Sequence, residues 1–375
     1  MISITVNRRK ILIVSATFYP ENSPRAFRTT ELAKEFARQG HDVVVYFPFK
    51  GIDYSDFSQQ TKIKLKDLGN LRFKRIKLTE GGLGSFIRRA VRRLLNLLFE
   101  YPDIELMYKV AAKLKAENNY DLLVSIAVPF PIHWGVAKAR RGKHRIADIW
   151  VADCGDPYMG DTTDSFGKLF YFKYIEKWFS RKADFITVPF EGARSAYYKE
   201  FRDKIRIIPQ GFQLGNINLP SFRKEADYPV FAYAGGFIPG RRDPSSMLKY
   251  LSTINKKFKF IIYTSQPGFL MPFKDLLNER LSIRDYVPRE ELLKILAGMD
   301  FLVNFDNNTQ TQLPSKLIDY ALTGRPVLNI TSGTDLSVLE EFLDGNYSSM
   351  MKLADPANYD ITVVAEKFLD LINNK

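Results

Sequence analysis

Apolar residues along the chain alternate between continuous β-branched runs and helical stripes. The run KILIVSA (10–16) predicts a buried strand. Ser23 and Pro24 are typical of the start of a helix, and Gly40 is typical of its end. The run HDVVVYF (41–47) predicts the next strand. Together these elements form a βαβ unit, which predicts a parallel sheet with a right-handed crossover.

The same alternation continues through the first half of the chain and then restarts after a loop rich in Asn, Pro and Ser at 215–224. We therefore expect two α/β domains, an N-terminal one at 1–210 and a C-terminal one at 211–355. A helix-like segment at 356–375 is able to pack back on the first domain. Further strands are predicted at 120–128, 144–153, 183–189, 204–212, 229–237, 258–265, 301–306 and 325–330, and further helices at 168–182, 244–255, 289–300 and 358–374.

Two such parallel-sheet domains are expected to face each other across a central cleft. Ligands of open parallel sheets bind outside the carboxyl ends of the strands. The candidate chemistry is therefore expected in five loops, at 17–25, 153–165, 235–243, 264–268 and 306–316.

Composition narrows the class of protein. A single cysteine, Cys154, among 375 residues excludes a disulfide framework and suits a reducing cytosol. No apolar run approaches the roughly 18 residues of a membrane-spanning helix, and the N-terminus has no signal-peptide pattern. The net charge of +13 favours an anionic partner, and three histidines without a Cys/His cluster argue against a structural zinc.

The loop that enters the predicted helix after 306 combines a proline, a hydroxyl and a lysine, Pro314, Ser315 and Lys316. A helix N-terminus attracts phosphate, and Ser315 and Lys316 add a donor and a cation. A capped surface helix with a solvated lysine explains the pattern equally well.

The loop AGGFIPGRRDP (234–244) resembles a second anion site. Gly235 and Gly236 let the backbone approach a ligand closely, and Arg241 and Arg242 are able to neutralise a diphosphate. The alternative is a flexible turn with solvated arginines. No Walker motif is present, because no Gly-Lys-Ser/Thr follows at the required spacing.

Carboxylates and a basic helix complete the set of candidates. Asp153 and Asp156 follow a buried strand and could bind sugar hydroxyls or act in acid–base chemistry.

The segment 86–100 is amphipathic, with an apolar stripe opposite a basic face, and suits an anionic membrane surface. The alternative is a helix that packs on the domain core with its basic face in water. That basic face consists of Arg88, Arg89, Arg92 and Arg93.

In these stretches the chain resembles the glycosyltransferase family 4 type of GT-B enzymes over nearly its whole length. The resemblance rests on the order and spacing of ILIVSATFYPENSPRAFRTTELAKEFARQGHDVVVY, WVADCGDPYM, IRIIPQGF, FAYAGGFIPGRRDP and QLPSKLIDYALTGRPVL. It implies two Rossmann-like domains and the transfer of a sugar, with retention and without a metal or other cofactor, from a UDP- or GDP-sugar. Together with the basic amphipathic segment 86–100, the resemblance leads us to expect a lipid-linked glycan as the acceptor, at the inner face of the plasma membrane, in bacterial surface-polysaccharide synthesis (O-antigen, capsule or exopolysaccharide).

The resemblance also implies residue roles on the donor side. Asp319 would hold the ribose, and Ser315 and Lys316, with the backbone near Pro314, would hold the diphosphate. Thr311 stands where the family usually has the first of two glutamates. Gly236 and Arg242 stand where it usually has an arginine and a lysine, and Arg241 is able to compensate for the missing arginine.

On the acceptor side, Gly155 and Asp156 stand where the family usually has His-Asp, so the histidine is missing. Asp156 would lie near the acceptor, and Asn22, Ser23 and Arg25 would border the same site with Asp153. Asp156, Lys316 and Arg242 are the residues expected to act in catalysis.

Two other functions stay open at this point. The first is a GT-B epimerase acting on a UDP-sugar, which usually needs more acid–base side chains, histidines included. The second is a basic lipid- or nucleic-acid-binding protein without enzyme activity. We expect no nucleic-acid partner, because no nucleic-acid motif is present.

Overall fold

The computed structural model divides the chain into two compact units, residues 1–213 with 359–375 and residues 214–358. Each unit is a parallel sheet with helices, the arrangement of the GT-B class. The structure describes residues 7–74, 76, 83–142, 144–161, 167–215, 218–224, 226–238, 240, 242–306 and 316–373.

The first unit holds a seven-stranded sheet in the order β3-β2-β1-β4-β5-β6-β7. Its strand order reverses direction between β1 and β4, where the crevice of a doubly wound sheet opens. The elements are β1 (Lys10–Ser15), α1 (Pro24–Arg38), β2 (Asp42–Phe47), α2 (Ser55–Thr61), β3 (Lys64–Asp67), α3 (Leu83–Phe99), α4 (Glu105–Leu114), β4 (Tyr120–Ala127), α5 (Pro131–Ala139), β5 (Ala147–Cys154), α6 (Phe172–Lys182), β6 (Phe185–Val188) and β7 (Ile205–Ile207).

The second unit holds a five-stranded sheet in the order β10-β9-β8-β11-β12. Its core is rich in stacked aromatic rings, among them Phe231 against Phe260 and Phe301. The elements are β8 (Val230–Ala234), α7 (Ser245–Thr253), β9 (Lys259–Tyr263), α8 (Met271–Leu277), β10 (Leu281–Arg284), α9 (Arg289–Ala297), β11 (Phe301–Phe305), α10 (Lys316–Thr323), β12 (Val327–Ile330) and α11 (Val338–Leu343).

The final helix, α12 (Ile361–Asn373), packs in the first unit rather than the second. Val364, Ala365 and Phe368 are buried in the same core as Leu32 and Phe36 of α1. No helix in the described part of the chain is long and apolar enough to cross a bilayer.

Local signals in the sequence placed the first βαβ unit correctly. Ser23 caps α1, because its Oγ accepts from the Ala26 N–H at 3.2 Å, and Pro24 is the first helical residue. The pattern did not predict β3 or β10. Both are four-residue strands at the edge of a sheet, where polar side chains face water and leave no continuous apolar run.

Candidate donor and acceptor sites

Helix α10 is fixed to the end of strand β8 by a buried tyrosine. The hydroxyl of Tyr320 accepts a hydrogen bond from the Ala234 N–H at 3.0 Å, and the side chain is fully buried. Because Lys316 precedes Tyr320 by four residues, both lie on the same face of α10. The contact therefore holds Lys316 next to the glycine loop that follows β8.

The ammonium group of Lys316 is buried and has no hydrogen-bond partner among the described residues. Its nitrogen lies 4.2 Å from the centroid of the Tyr233 ring. Burial, and then the nearby positive charge of Arg242, lower the pKa of Lys316 to about 7, and Asp306 opposes this shift. Within the described part of the chain, the N–H donors of this ammonium group are therefore available to a ligand.

The glycine loop brings a second cation to the same tyrosine. Gly235 has a φ of 146°, which other residues rarely adopt, and the Tyr233 hydroxyl donates to the Gly236 carbonyl at 2.8 Å. The positive charge of Arg242 acts on Tyr233 and Lys316. Its Nε is likewise buried without a partner in the described part of the chain.

Asp319 lies one turn along α10 and is bound by Arg289 at the start of α9. The Nη2 and Nε atoms of Arg289 both donate to Oδ1 of Asp319, at 2.6 and 2.9 Å. Burial raises the pKa of Asp319, while the guanidinium of Arg289 opposes that shift. Neither of these bonds uses the second oxygen, Oδ2, which can accept from a ligand hydroxyl.

A cavity of about 220 Å³ is lined by Lys316, Asp319 and the glycines that follow β8. Next to Lys316 and Asp319 its wall is mostly apolar, and Tyr286 at its rim is 73% exposed. The sequence did not indicate Arg289, Tyr286 or Tyr233, since only tertiary packing brings them close to Lys316 and Asp319. The four-residue spacing from Lys316 could have indicated Tyr320. The lining also includes Ala234, Gly235, Gly236, Tyr263, Thr264, Ser265, Val287, Leu292, Leu296 and Tyr320.

Four of the expected donor-site residues, Arg241, Thr311, Pro314 and Ser315, lie outside the described residues. Their expected contacts stay predictions.

In the first unit, Asp153 forms a buried ion pair with Arg28 of α1. The guanidinium donates to both oxygens, at 3.0 and 2.9 Å, and Thr187 donates to Oδ1 at 2.7 Å. Arg28 also donates to the carbonyls of Pro209 and Ile208. Because both of its oxygens are buried and already accept hydrogen bonds, Asp153 does not offer a free oxygen to an acceptor, contrary to the expectation from the sequence.

Asp156 forms a second, partly exposed ion pair close to that buried one in sequence. Arg25, one turn before Arg28 on α1, donates from Nη2 to Asp156 Oδ2 at 3.2 Å. The guanidinium of Arg25 lies against Gly155, where an added Cβ would be 1.7 Å from its nitrogens. The guanidinium of Arg25 thus fills the space that a side chain at position 155 would need. Asn22 is exposed in the preceding loop, and Ser23 is engaged in capping α1.

Helix α3 exposes both of its faces. Ile87, Val91 and Leu94 of the apolar stripe are 54%, 42% and 53% exposed. The alternative that this stripe packs on the domain core is therefore wrong for these residues. Of the basic residues, Arg88, Arg89 and Arg93 are exposed and Arg92 is partly exposed.

A family model described as Glycosyltransferase Family 4 matches residues 27–215, just over half of the chain. The chain belongs to glycosyltransferase family 4. This family 4 member is a glycosyltransferase, which excludes the alternative of a binding protein without enzyme activity. No curated protein is similar enough in sequence to be counted as a relative.

Solved structures show that the family 4 enzyme has the GT-B fold. It is similar to the lipopolysaccharide outer core galactosyltransferase WaaB (TM-score 0.62, 12% identity, covering 97% of this chain and 99% of that one). It is equally similar to a glycosyltransferase from Rickettsia africae (TM-score 0.62, 11% identity, 98% and 99% covered). Anabaena HepE in complex with UDP-glucose has a TM-score of 0.58 at 11% identity, with 98% and 100% covered.

Proposed function

We propose that the enzyme transfers a sugar, with retention, from a UDP- or GDP-sugar to a lipid-linked glycan acceptor in surface-polysaccharide synthesis. The observation that carries this proposal is the pair of buried donors beside Tyr233, the Nζ of Lys316 and the Nε of Arg242, neither of which has a hydrogen-bond partner among the described residues. Buried donors without partners are unfavourable in the free protein. A diphosphate supplies both the acceptor oxygens and the missing negative charge.

The remaining parts of the cavity fit the rest of a nucleotide. Asp319 can offer Oδ2 to a ribose hydroxyl, because both bonds that it accepts from Arg289 are to Oδ1. The mostly apolar wall and the exposed ring of Tyr286 suit the face of a base. We propose that Tyr286 stacks on the base and that Gly235 and Gly236 let the backbone approach the diphosphate.

Lys316 and Arg242 also contribute to the transfer reaction itself. When the bond between sugar and diphosphate breaks, negative charge grows on the leaving group, and Lys316 and Arg242 stabilise it in a site of low polarity. We propose that this positive charge replaces a metal ion, so that transfer proceeds in EDTA. Transfer on the front face of the sugar needs no nucleophile from the enzyme. Asp156 would act on the acceptor side, oriented by Arg25.

Thermal unfolding with UDP, GDP and ADP tests the donor site. UDP or GDP is expected to raise the unfolding temperature of the wild type. Lys316→Ala abolishes the shift, and Tyr286→Ala reduces it. Lys294→Ala, at an exposed lysine of the same unit, leaves it unchanged. A wild-type protein stabilised by neither UDP nor GDP would contradict the proposal.

Product analysis separates this proposal from the epimerase. A glycosyltransferase releases the nucleoside diphosphate when acceptor is present, and NMR of the anomeric proton shows whether configuration is retained. An epimerase returns an intact nucleotide sugar of altered configuration. Conversion of a UDP-sugar to its epimer without release of UDP would therefore replace the proposed reaction.

We further propose that α3 places the enzyme on the inner face of the plasma membrane. Its exposed Ile87, Val91 and Leu94 can enter the acyl boundary, while the arginines lie at the level of anionic headgroups. A helix that leaves apolar side chains of this size in water needs such a partner. This location would bring the enzyme to a lipid-linked acceptor.

Vesicle sedimentation tests this location. The wild type is expected to sediment with vesicles containing phosphatidylglycerol and to stay in solution with vesicles of phosphatidylcholine alone. Changing Arg88, Arg89, Arg92 and Arg93 to Glu abolishes sedimentation, whereas changing four exposed basic residues of the same unit, Lys113, Lys115, Arg145 and Lys199, to Glu preserves it. Equal sedimentation of the wild type and the α3 variant would refute the membrane role.

A further inference from the structure

A second cavity, of about 160 Å³, lies in the first unit where strands β1 and β2 end. Its walls combine the buried aromatic rings of Phe18, Phe47 and Tyr54 with polar groups from the two following loops. This is the edge of a parallel sheet at which ligands bind. The cavity adjoins the loop that carries the expected acceptor residue Asn22, yet none of the expected site residues lines it.

The polar groups of the cavity consist of an ion pair and a hydroxyl. Lys50 Nζ lies 2.8 Å from Glu21 Oε2, and their side chains are 56% and 39% exposed. Thr17 Oγ1 is buried and has no hydrogen-bond partner in the described part of the chain. Such a hydroxyl is unfavourable until a ligand or water binds it.

The backbone holds Lys50 in an unusual conformation at the rim. Lys50 has a φ of 54° and Gly51 a φ of 82°. A positive φ is uncommon for a residue with a side chain and often marks a functional position. Here it accompanies the approach of Lys50 to Glu21, which links the loops after β1 and β2.

We infer that this cavity binds one neutral pyranose ring of the acceptor glycan, a step that rests on the proposed glycosyl transfer. The ion pair is neutral as a whole, so a charged ligand would leave one partner uncompensated. A sugar ring offers hydroxyls that accept from Lys50 and donate to Glu21, with another for Thr17. Its C–H faces suit the aromatic walls. The volume holds one ring rather than an oligosaccharide.

Saturation-transfer NMR on the full chain tests the cavity with the methyl glycosides of glucose, galactose, mannose, N-acetylglucosamine and rhamnose. At least one is expected to bind the wild type. Lys50→Ala should weaken that binding about tenfold, because a charge-assisted hydrogen bond is lost. Ile52→Trp, at an exposed cavity residue, should abolish it. Lys62→Ala is the matched control, since Lys62 is also exposed with a φ of 60° but does not line the cavity.

Binding of no glycoside to the wild type would overturn the inference, as would binding that survives Ile52→Trp. Stabilisation of the same preparations by UDP or GDP separates this result from the donor site. Normal nucleotide shifts without sugar binding reject the cavity alone. Absent nucleotide shifts reject the proposed donor whatever the sugars do.

Discussion

The buried ammonium group of Lys316 makes the free energy of unfolding depend on pH. Its pKa of about 7, against an ordinary 10.5, corresponds to about 5 kcal/mol against the charged form. The unfolded chain keeps this proton up to pH 10.5, whereas the folded protein releases it near pH 7. Between these values the unfolded state holds more protons, so stability rises with pH. Below pH 7 the full penalty applies, and Lys316→Met relieves it.

A bound diphosphate is expected to favour the charged form of Lys316 instead. Its negative charge stabilises the ammonium group and so raises the pKa of Lys316 again. At pH 8 only about a tenth of the free protein carries this proton. Binding of UDP or GDP is therefore expected to take up about 0.9 proton. Calorimetry at pH 8 in two buffers with different ionisation enthalpies measures that uptake directly.

Two variants complete the experiment. Lys316→Met is expected to bind more weakly and without uptake of this proton, whereas Lys294→Met, at an exposed lysine of α9, should match the wild type. The reasoning is refuted if wild-type binding takes up no proton at pH 8. It is equally refuted if Lys316→Met retains the same uptake.

Two further predictions concern buried charges in the first unit. Arg28→Met should cost about 3–5 kcal/mol of unfolding free energy, because it leaves Asp153 buried and unpaired. Arg25→Met, one turn away in the more exposed pair with Asp156, should cost about 0–1 kcal/mol; equal losses in urea titrations would contradict the distinction. Burial raises the pKa of Glu176 from 4.5 to about 7, because the buried carboxyl is favoured in its protonated form. The contribution of Glu176 to the free energy of unfolding is therefore fully present below pH 4.5 and is lost as the pH rises through 7. Glu176→Gln should therefore stabilise the protein by about 3 kcal/mol at pH 8 and not at pH 4, and a gain of the same size at both pH values would contradict this.

Local patterns were sufficient for much of the fold. The β-branched runs predicted the buried strands, because a strand covered on both faces needs apolar residues in succession. Ser23 and Pro24 predicted the start of α1 for reasons contained in the residues themselves. The edge strands β3 and β10 escaped prediction, because they are short and one side of each lies in water.

The sequence by itself therefore determined the parallel-sheet class, the family resemblance and the loops in which polar groups gather. Only the tertiary structure distinguished Asp153 from Asp156, three residues apart, as a buried, ion-paired carboxylate and a partly exposed one. Only packing buries the ammonium of Lys316, and only packing leaves the apolar stripe of α3 in water. The reason is physical: a residue's type and spacing set what it can bond, whereas its charge state and availability depend on neighbours from distant parts of the chain.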